Sequence, residues 1–238
     1  MSSAETIANP VDPDRRWLYR EGAVSALLFG IVYIVIIALY VPAGAPPSGG
    51  EARLEYHAGN TTVWWAILAL SVLTDFLLIP VALALYLALK GLNRDSMLMA
   101  TAFIGLFVFL DLAVTWPNYA SLIALSDEYA AAPTDARREA YVAAASYASA
   151  VLTSTLAGIY NIVTLSLGIL IAGLVMLRSP LFGKGAAYLG LVTGILGIVS
   201  VAGPLVFGAL GATIIVASIL TTLWVVLVGY RLYRIGRR

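Results

Sequence analysis

The sequence predicts an all-α fold: a polytopic transmembrane helical bundle with six spans and both termini on the cytoplasmic side. Of the 238 residues, 61% are hydrophobic and 11% are charged, whereas a typical soluble domain carries about 25% charged residues. The hydrophobic residues also fall into six long runs, and about 20 such residues cross the roughly 30 Å of membrane hydrocarbon. The predicted spans are 22–41, 62–89, 97–125, 140–177, 186–202 and 210–228.

The first three runs are interpreted as simple membrane helices. The small residues Ala43-Gly44-Ala45 resemble a signal cleavage site, but the apolar run before them exceeds the roughly 7–15 residues of a signal core. We therefore predict an uncleaved first helix. In the second span, Pro80 should kink the helix about one turn from Asp75, because proline removes a backbone donor and clashes with the preceding turn.

The fourth run is too long for one crossing. From Asp135 to Leu177 the chain lacks proline, and a continuous helix of that length would measure about 65 Å, roughly twice the hydrocarbon core. The helix should either extend outside the membrane onto the first outer loop, which is the favoured interpretation, or break near residues 154–158. The fifth run ends at Gly203-Pro204, and residues 205–209 are predicted to form a tight, partly buried hairpin leading to the sixth.

The distribution of basic residues predicts the orientation. Eleven of the 14 lysines and arginines fall on one side of this topology, with both termini, and only Arg53, Arg137 and Arg138 fall on the other. Because loops rich in Lys and Arg remain in the cytoplasm, we expect a protein of the cell membrane with both termini cytoplasmic. One integral membrane domain covering residues 1–238 is expected.

Two aspartates lie inside predicted spans. Asp75 and Asp111 are equally far along the chain from Asn93, which lies in the turn between the second and third spans. They should therefore lie at similar depth, where an ionised carboxylate is costly and usually functional. Two carboxylates held close in a low dielectric cannot both ionise, and the spans offer no lysine or arginine beside them. A shared proton or a bound cation is the expected partner.

Polar residues accompany both aspartates at helical spacing. Thr115 and Asn118 follow Asp111 at i+4 and i+7, Ser71 precedes Asp75 by one turn, and Asn161 lies in the fourth span. Trp116 and Tyr119 belong to an outer aromatic belt and are also placed to wall a cavity above the acids. The alternative interpretation is that these residues only join helices through hydrogen bonds. The predicted binding residues are Ser71, Asp75, Asp111, Thr115, Asn118 and Asn161.

Several kinds of chemistry are excluded by composition. The chain has no cysteine and a single histidine, His57, so disulfides, thiol nucleophiles and His-rich metal sites are excluded. We predict no cofactor and no metal site, and the net charge of +1 gives no reason to expect a nucleic-acid partner. The lipid bilayer is the one partner that composition predicts, and His57 is interpreted as an ordinary loop residue.

Short motifs between Asp75 and Gly197 resemble a known family. The motifs are Asp75 with residues 82–86 (Ala-Leu-Ala-Leu-Tyr), Leu92-Asn93-Arg94, residues 168–177 followed by Arg178-Ser179-Pro180-Leu181-Phe182, Ala187-Tyr188-Leu189-Gly190, and Thr193-Gly194-Ile195-Leu196-Gly197. They are similar to an uncharacterised bacterial and archaeal family of small six-helix membrane proteins, a domain of unknown function. The resemblance implies the six-helix membrane fold and no particular activity.

Three classes of function remain open at this point. The first is a protein that handles a small molecule, proton or cation through the site around Asp75 and Asp111. The second is an intramembrane enzyme acting on a lipid or isoprenoid, with a protonated aspartate as general acid. The third is a scaffold or regulator without chemistry. A wet cavity reached from outside favours the first, a closed apolar pocket with one acid favours the second, and a filled bundle favours the third.

Overall fold

A computed structural model describes residues 15–44 and 46–237, and all regular secondary structure in that part of the chain is helical. Six helical segments are long and apolar enough to cross a membrane, as predicted. The α-helices are α1 (Arg16–Tyr40), α2 (Gly50–His57), α3 (Thr61–Leu89), α4 (Arg94–Leu110), α5 (Trp116–Ala130), α6 (Asp135–Thr153), α7 (Thr155–Gly158), α8 (Thr164–Met176), α9 (Gly183–Ala202) and α10 (Thr213–Gly236).

Two short π-helical turns join helices end to end. Asp111–Thr115 connects α4 to α5, and Ile159–Val163 connects α7 to α8. The spanning segments therefore comprise Arg16–Ala43, Thr61–Leu89, Arg94–Ala130, Thr155–Met176, Gly183–Leu205 and Gly208–Gly236. We call the end of the bundle that carries Arg15 and Arg237 the proximal end, and the opposite end the distal end.

The fourth span is shorter than predicted. The predicted run 140–177 is divided at Ser154, whose backbone is extended and whose side chain accepts a hydrogen bond from the Ala157 N–H at 3.1 Å. This new N-cap starts another helix, because a serine oxygen satisfies one of the free N–H groups at a helix start. The break falls within residues 154–158, where the alternative interpretation placed it, so the favoured interpretation of one continuous helix is wrong. The part before the break, α6, lies outside the spanning segments and packs on α2, in the loop that follows the first span, as the favoured interpretation expected.

The connection between α9 and α10 differs from the prediction. Residues 203–212 form two 3₁₀ turns rather than a partly buried hairpin. Leu205, Val206 and Phe207 at its tip are 78%, 74% and 69% exposed. The reason is geometric, since α9 and α10 pack on each other and the tip projects beyond them without a neighbouring helix to cover it.

The six spans form a closed ring. Contacts run from α1 to α3, α4, α8, α9, α10 and back to α1. In the proximal half the centre of the ring is filled by large buried side chains, including Tyr19, Leu85, Met97 and Leu232. Glycines allow the helices to approach closely there. The distal half is not filled in this way, and it holds the candidate site.

Candidate functional site

A cavity of about 280 Å³ lies at the centre of the ring. Each of the six spans contributes to its wall, which brings residues distant in sequence into one site. The lining residues are Phe29, Tyr33, Ile36, Ser71, Thr74, Asp75, Leu78, Phe107, Asp111, Trp116, Asn161, Ile162, Leu165, Ser166, Gly197, Ile214, Ala217, Ser218, Thr221 and Thr222.

Both intramembrane aspartates line this cavity. Asp75 is 3% exposed and Asp111 is 5% exposed, and their carboxyl groups are close enough to interact electrostatically. The Trp116 indole N–H donates to Asp75 Oδ2 at 2.5 Å. Asp111 Oδ1 has no hydrogen-bond partner among the described residues. One carboxyl group is therefore fixed by an indole, and the other presents a free acceptor in a buried position.

A π-helical turn places Asp111 and Thr115. The Trp116 N–H bonds to the carbonyl of Asp111, five residues back, instead of to the carbonyl four residues back. Pro117 follows directly, and its ring would clash with the carbonyl of the preceding turn in a regular α-helix. The wider π turn relieves that clash. Such single turns inside α-helices occur frequently at functional sites.

The second π turn faces the first. It contains Asn161, whose Oδ1 accepts a hydrogen bond from the Thr115 hydroxyl at 3.0 Å. The Thr115 hydroxyl also contacts the Asp111 carboxyl group. The two irregular turns are thus joined by a polar chain that runs from Asp111 through Thr115 to Asn161.

The structure brings together most of the predicted site residues. Ser71, Asp75, Asp111 and Asn161 line the cavity, and Thr115 lies buried behind Asn161. Asn118 is separate from them, since its side-chain amide donates to the Val114 carbonyl on its own helix at 2.8 Å. The π turn explains the difference, because one extra residue in the turn shifts the helix face on which Asn118 would follow Asp111 and Thr115.

Sequence reasoning missed the hydroxyl groups that complete the wall. Ser218, Thr221 and Thr222 on α10 line the cavity, together with Thr74 and Ser166. In the sequence these residues look like ordinary packing residues of membrane helices. The one available signal was their spacing, since residues 218, 221 and 222 at i, i+3 and i+4 share one face of a helix.

A smaller chamber of about 140 Å³ lies on the distal side of the cavity. Its wall includes Tyr40, Trp64 and Tyr119, and it shares Trp116 and Ser71 with the central cavity. Trp116, Ser71 and Ile36 therefore form the boundary that the two spaces share. Trp116 and Tyr119, which the sequence placed above the acids, do line this region.

The helix α2 covers the distal end and buries two basic residues. Arg53 is 4% exposed, its guanidinium lies 5.9 Å from the centre of the Tyr119 ring, and its Nε and Nη1 have no partner among the described residues. His57 is 1% exposed, and its Nδ1 lies 2.6 Å from the Arg53 carbonyl oxygen. Burial lowers the pKa of His57. The interpretation of His57 as an ordinary loop residue is wrong.

The fold and the cavity define a multi-pass membrane protein with an acidic site among its spans. Among the described residues, no three His, Cys, Asp or Glu side chains lie together as a metal-binding group. The chain belongs to the family described as domain of unknown function (DUF4386), whose model matches residues 24–234. This match confirms the family resemblance seen in the sequence. Comparisons with curated proteins and with solved structures gave no significant match.

Proposed function

We propose that the protein handles a small molecule or cation, with proton exchange, through the acidic cavity, and that Asp75 and Asp111 are its anionic ligands. The observation that supports this proposal is that both buried carboxyl groups line one cavity. None of the described residues in its wall is a lysine or an arginine. Buried charges are normally paired, so a cation or a proton from outside the chain is the natural counterpart.

The polar chain next to Asp111 supports a role for a proton. A threonine hydroxyl has one proton to donate. If Thr115 donates it to Asn161, as in this structure, a hydrogen bond between Thr115 and Asp111 requires a protonated carboxyl group. If the Asn161 amide is reversed, Thr115 can donate to an ionised Asp111. The orientation of the amide, which is assigned from the hydrogen-bond network, would then follow the protonation of Asp111.

The other two classes of function fit less well. An enzyme with a single general acid would need one carboxyl group in an apolar pocket, but this cavity holds two together with several hydroxyl groups. A scaffold has no need of an open centre, because a filled bundle is more stable than one that contains a cavity. The size and polarity of the cavity therefore favour ligand handling.

In this proposal both termini lie in the cytoplasm, and the cavity lies toward the outside. The chain has no cysteine, so single cysteines can report the orientation directly. Ser48 and Gly91 are exposed at opposite ends of the bundle, and Gly91 has no neighbour that an added side chain would meet. In intact cells, an impermeant thiol reagent should label Ser48→Cys and spare Gly91→Cys. The reverse pattern would overturn the orientation.

The central test is binding by purified protein in detergent. Sodium, potassium, calcium, ammonium and propylammonium are titrated while thermal unfolding is followed. A ligand at 100 times its Kd stabilises a protein by about 2.7 kcal/mol, so at least one cation should raise the Tm of the wild type. Asp75→Asn and Asp111→Asn should remain folded and lose this shift, because an amide keeps the shape and removes the charge.

The matched control is Asp127→Asn, which neutralises an exposed aspartate at the distal end and should keep the shift. Carboxyl infrared bands of the wild type, followed against pH, test for proton exchange. If a pH-dependent band disappears in Asp111→Asn, that band belongs to the carboxyl group of Asp111. The proposal is contradicted if a variant that combines Asp75→Asn with Asp111→Asn binds like the wild type. It is also contradicted if no cation shifts the Tm and no buried carboxyl band responds to pH.

A further inference from the structure

The geometry points to a small organic ammonium ion as the ligand of the central cavity. This inference rests on the proposed function and specifies its substrate class. It is carried by the size of the cavity, by hydrogen bonds that leave four of its hydroxyl groups as acceptors, and by its aromatic wall.

The cavity is larger than an inorganic cation requires. Its volume of about 280 Å³ approaches the lower end of ligand pockets, at about 300 Å³. A calcium ion needs six to eight oxygen ligands at about 2.3–2.6 Å. The cavity offers two carboxyl groups on separate helices, so a molecule with several heavy atoms fits it better.

Four of the six serine and threonine hydroxyl groups of the wall are arranged as acceptors. Each of four hydroxyls donates its proton to a carbonyl of its own helix. The bonds are Ser71 to Ile67 at 2.8 Å, Thr74 to Ser71 at 2.6 Å, Thr221 to Ala217 at 2.9 Å and Thr222 to Ser218 at 3.1 Å.

A hydroxyl that has donated its one proton offers only lone pairs to a ligand. The free Oδ1 of Asp111 is a further acceptor, and the Trp116 indole N–H is already bonded to Asp75. An ammonium group carries N–H donors and no acceptor, so it complements this wall. A carboxylate or phosphate ligand would instead face the two aspartates and the lone pairs of these hydroxyl groups, which repel an anion.

Aromatic rings supply the rest of the wall. Trp116, Tyr33 and Phe29 all line the cavity, and Phe29 and Tyr33 are stacked with their ring centres 5.8 Å apart. A cation within about 6 Å of an aromatic face is attracted to it, most strongly by tryptophan. The carbon atoms of an alkylammonium ion also gain from contact with these rings, which an inorganic ion does not.

The test uses calorimetric titration of the purified full chain with propylammonium, potassium and propionate at equal ionic strength. Propylammonium should bind saturably and at least tenfold more tightly than potassium, and propionate should not bind. Thr221→Val with Thr222→Val preserves volume and removes two acceptors, so it should lower propylammonium affinity at least fivefold.

The matched control is Thr101→Val, since Thr101 also donates to a carbonyl of its own helix, that of Met97, at 2.8 Å, and lies outside the cavity wall. The valine variants must show unchanged elution in gel filtration. Equal loss in the control and the double variant would contradict the acceptor role.

Tighter binding of potassium than propylammonium would overturn this inference and leave the proposed function standing. Binding of propionate through the cavity acids would overturn both. Absence of binding by every ion tested would overturn the inference, and the carboxyl infrared bands would then decide on the proposed function.

Discussion

The proximal and distal halves of the bundle are built from the same six spans and differ in nearly every other respect. The proximal half consists of regular α-helices in close contact around a filled apolar centre. The distal half contains both π turns, the break at Ser154 and the acidic cavity. The comparison indicates that the proximal half supplies stability, while the distal half uses irregular backbone to bring polar groups into the interior.

The two halves also differ in the hydrogen bonding of their buried polar groups. In the proximal half, the buried Trp224 indole donates to the Ala186 carbonyl at 3.1 Å, so this polar atom is satisfied within the chain. In the distal half, Asp111 Oδ1 and two nitrogens of Arg53 have no partner among the described residues. Unsatisfied buried groups are costly. Arg231 Nε near the proximal end also has no partner among the described residues, so the group that bears on ligand binding is Asp111 Oδ1, which belongs to a residue of the cavity wall.

The largest predicted effect tests the close contacts of the proximal half. A Cβ added at Gly229 would lie 2.5 Å from the Ala26 Cβ, between α10 and α1. Gly229→Ala should therefore destabilise the protein by about 1–3 kcal/mol, as overpacking typically does. Gly105→Ala is the control, because no atom lies within 4 Å of the added carbon. Thermal unfolding should show the control unchanged or slightly stabilised, and equal Tm values for both variants would contradict the close packing.

The same substitution in the distal half should act locally. A Cβ at Gly50 would lie 2.6 Å from the Ser146 N and the Val142 O of α6. Gly50→Ala should separate α2 from α6 and leave the ring of spans intact. Hydrogen exchange should accelerate in residues 50–57 and remain slow in α10. Simultaneous loss of protection in both regions would show that the two halves unfold together, against the proposed division.

The smallest predicted effect is a pH dependence of the distal end. Burial lowers the pKa of His57 from its ordinary value of 6.5, with a further contribution from the nearby Arg53 charge. The unfolded chain then binds a proton more readily than the folded chain, so this contribution to stability is present above about pH 6.5 and declines as the pH falls toward the lower folded value. His57→Asn should lose less stability than the wild type between pH 7.5 and 5. Parallel curves for the two proteins would contradict the prediction.

The sequence predicted the spans because a membrane crossing depends mainly on composition and length. It also predicted that Asp75 and Asp111 lie at similar depth. The rise per residue of a helix is fixed, so each of the two helices carries its aspartate equally far from the turn at Asn93. The structure places both acids on one cavity. Their use by a ligand or a proton stays a prediction.

Other features depend on contacts between distant segments. No local pattern specifies that Thr221 and Thr222 on α10 line the same cavity as Asp75. From the sequence alone, any of the other spans could have packed opposite the two aspartates. Similarly, the burial of Arg53 and His57 depends on how α2 docks against its neighbours. The position of Asn118 on α5 relative to Asp111 depends on a π turn that differs from a regular helix by one residue.

The sequence by itself determined that this chain crosses the membrane with six helices and carries two acids in its interior, because hydrophobicity and helical rise are local properties. Only the tertiary structure decided that the distal half stays open, that the hydroxyl groups of α10 complete the wall, and that the tip at Leu205–Phe207 is exposed. The first two outcomes follow from the closure of the six spans into a ring, and the third from the absence, in the described part of the chain, of a neighbouring helix beyond the ends of α9 and α10. Ring closure is a property of all the helix contacts together, and no single segment encodes it.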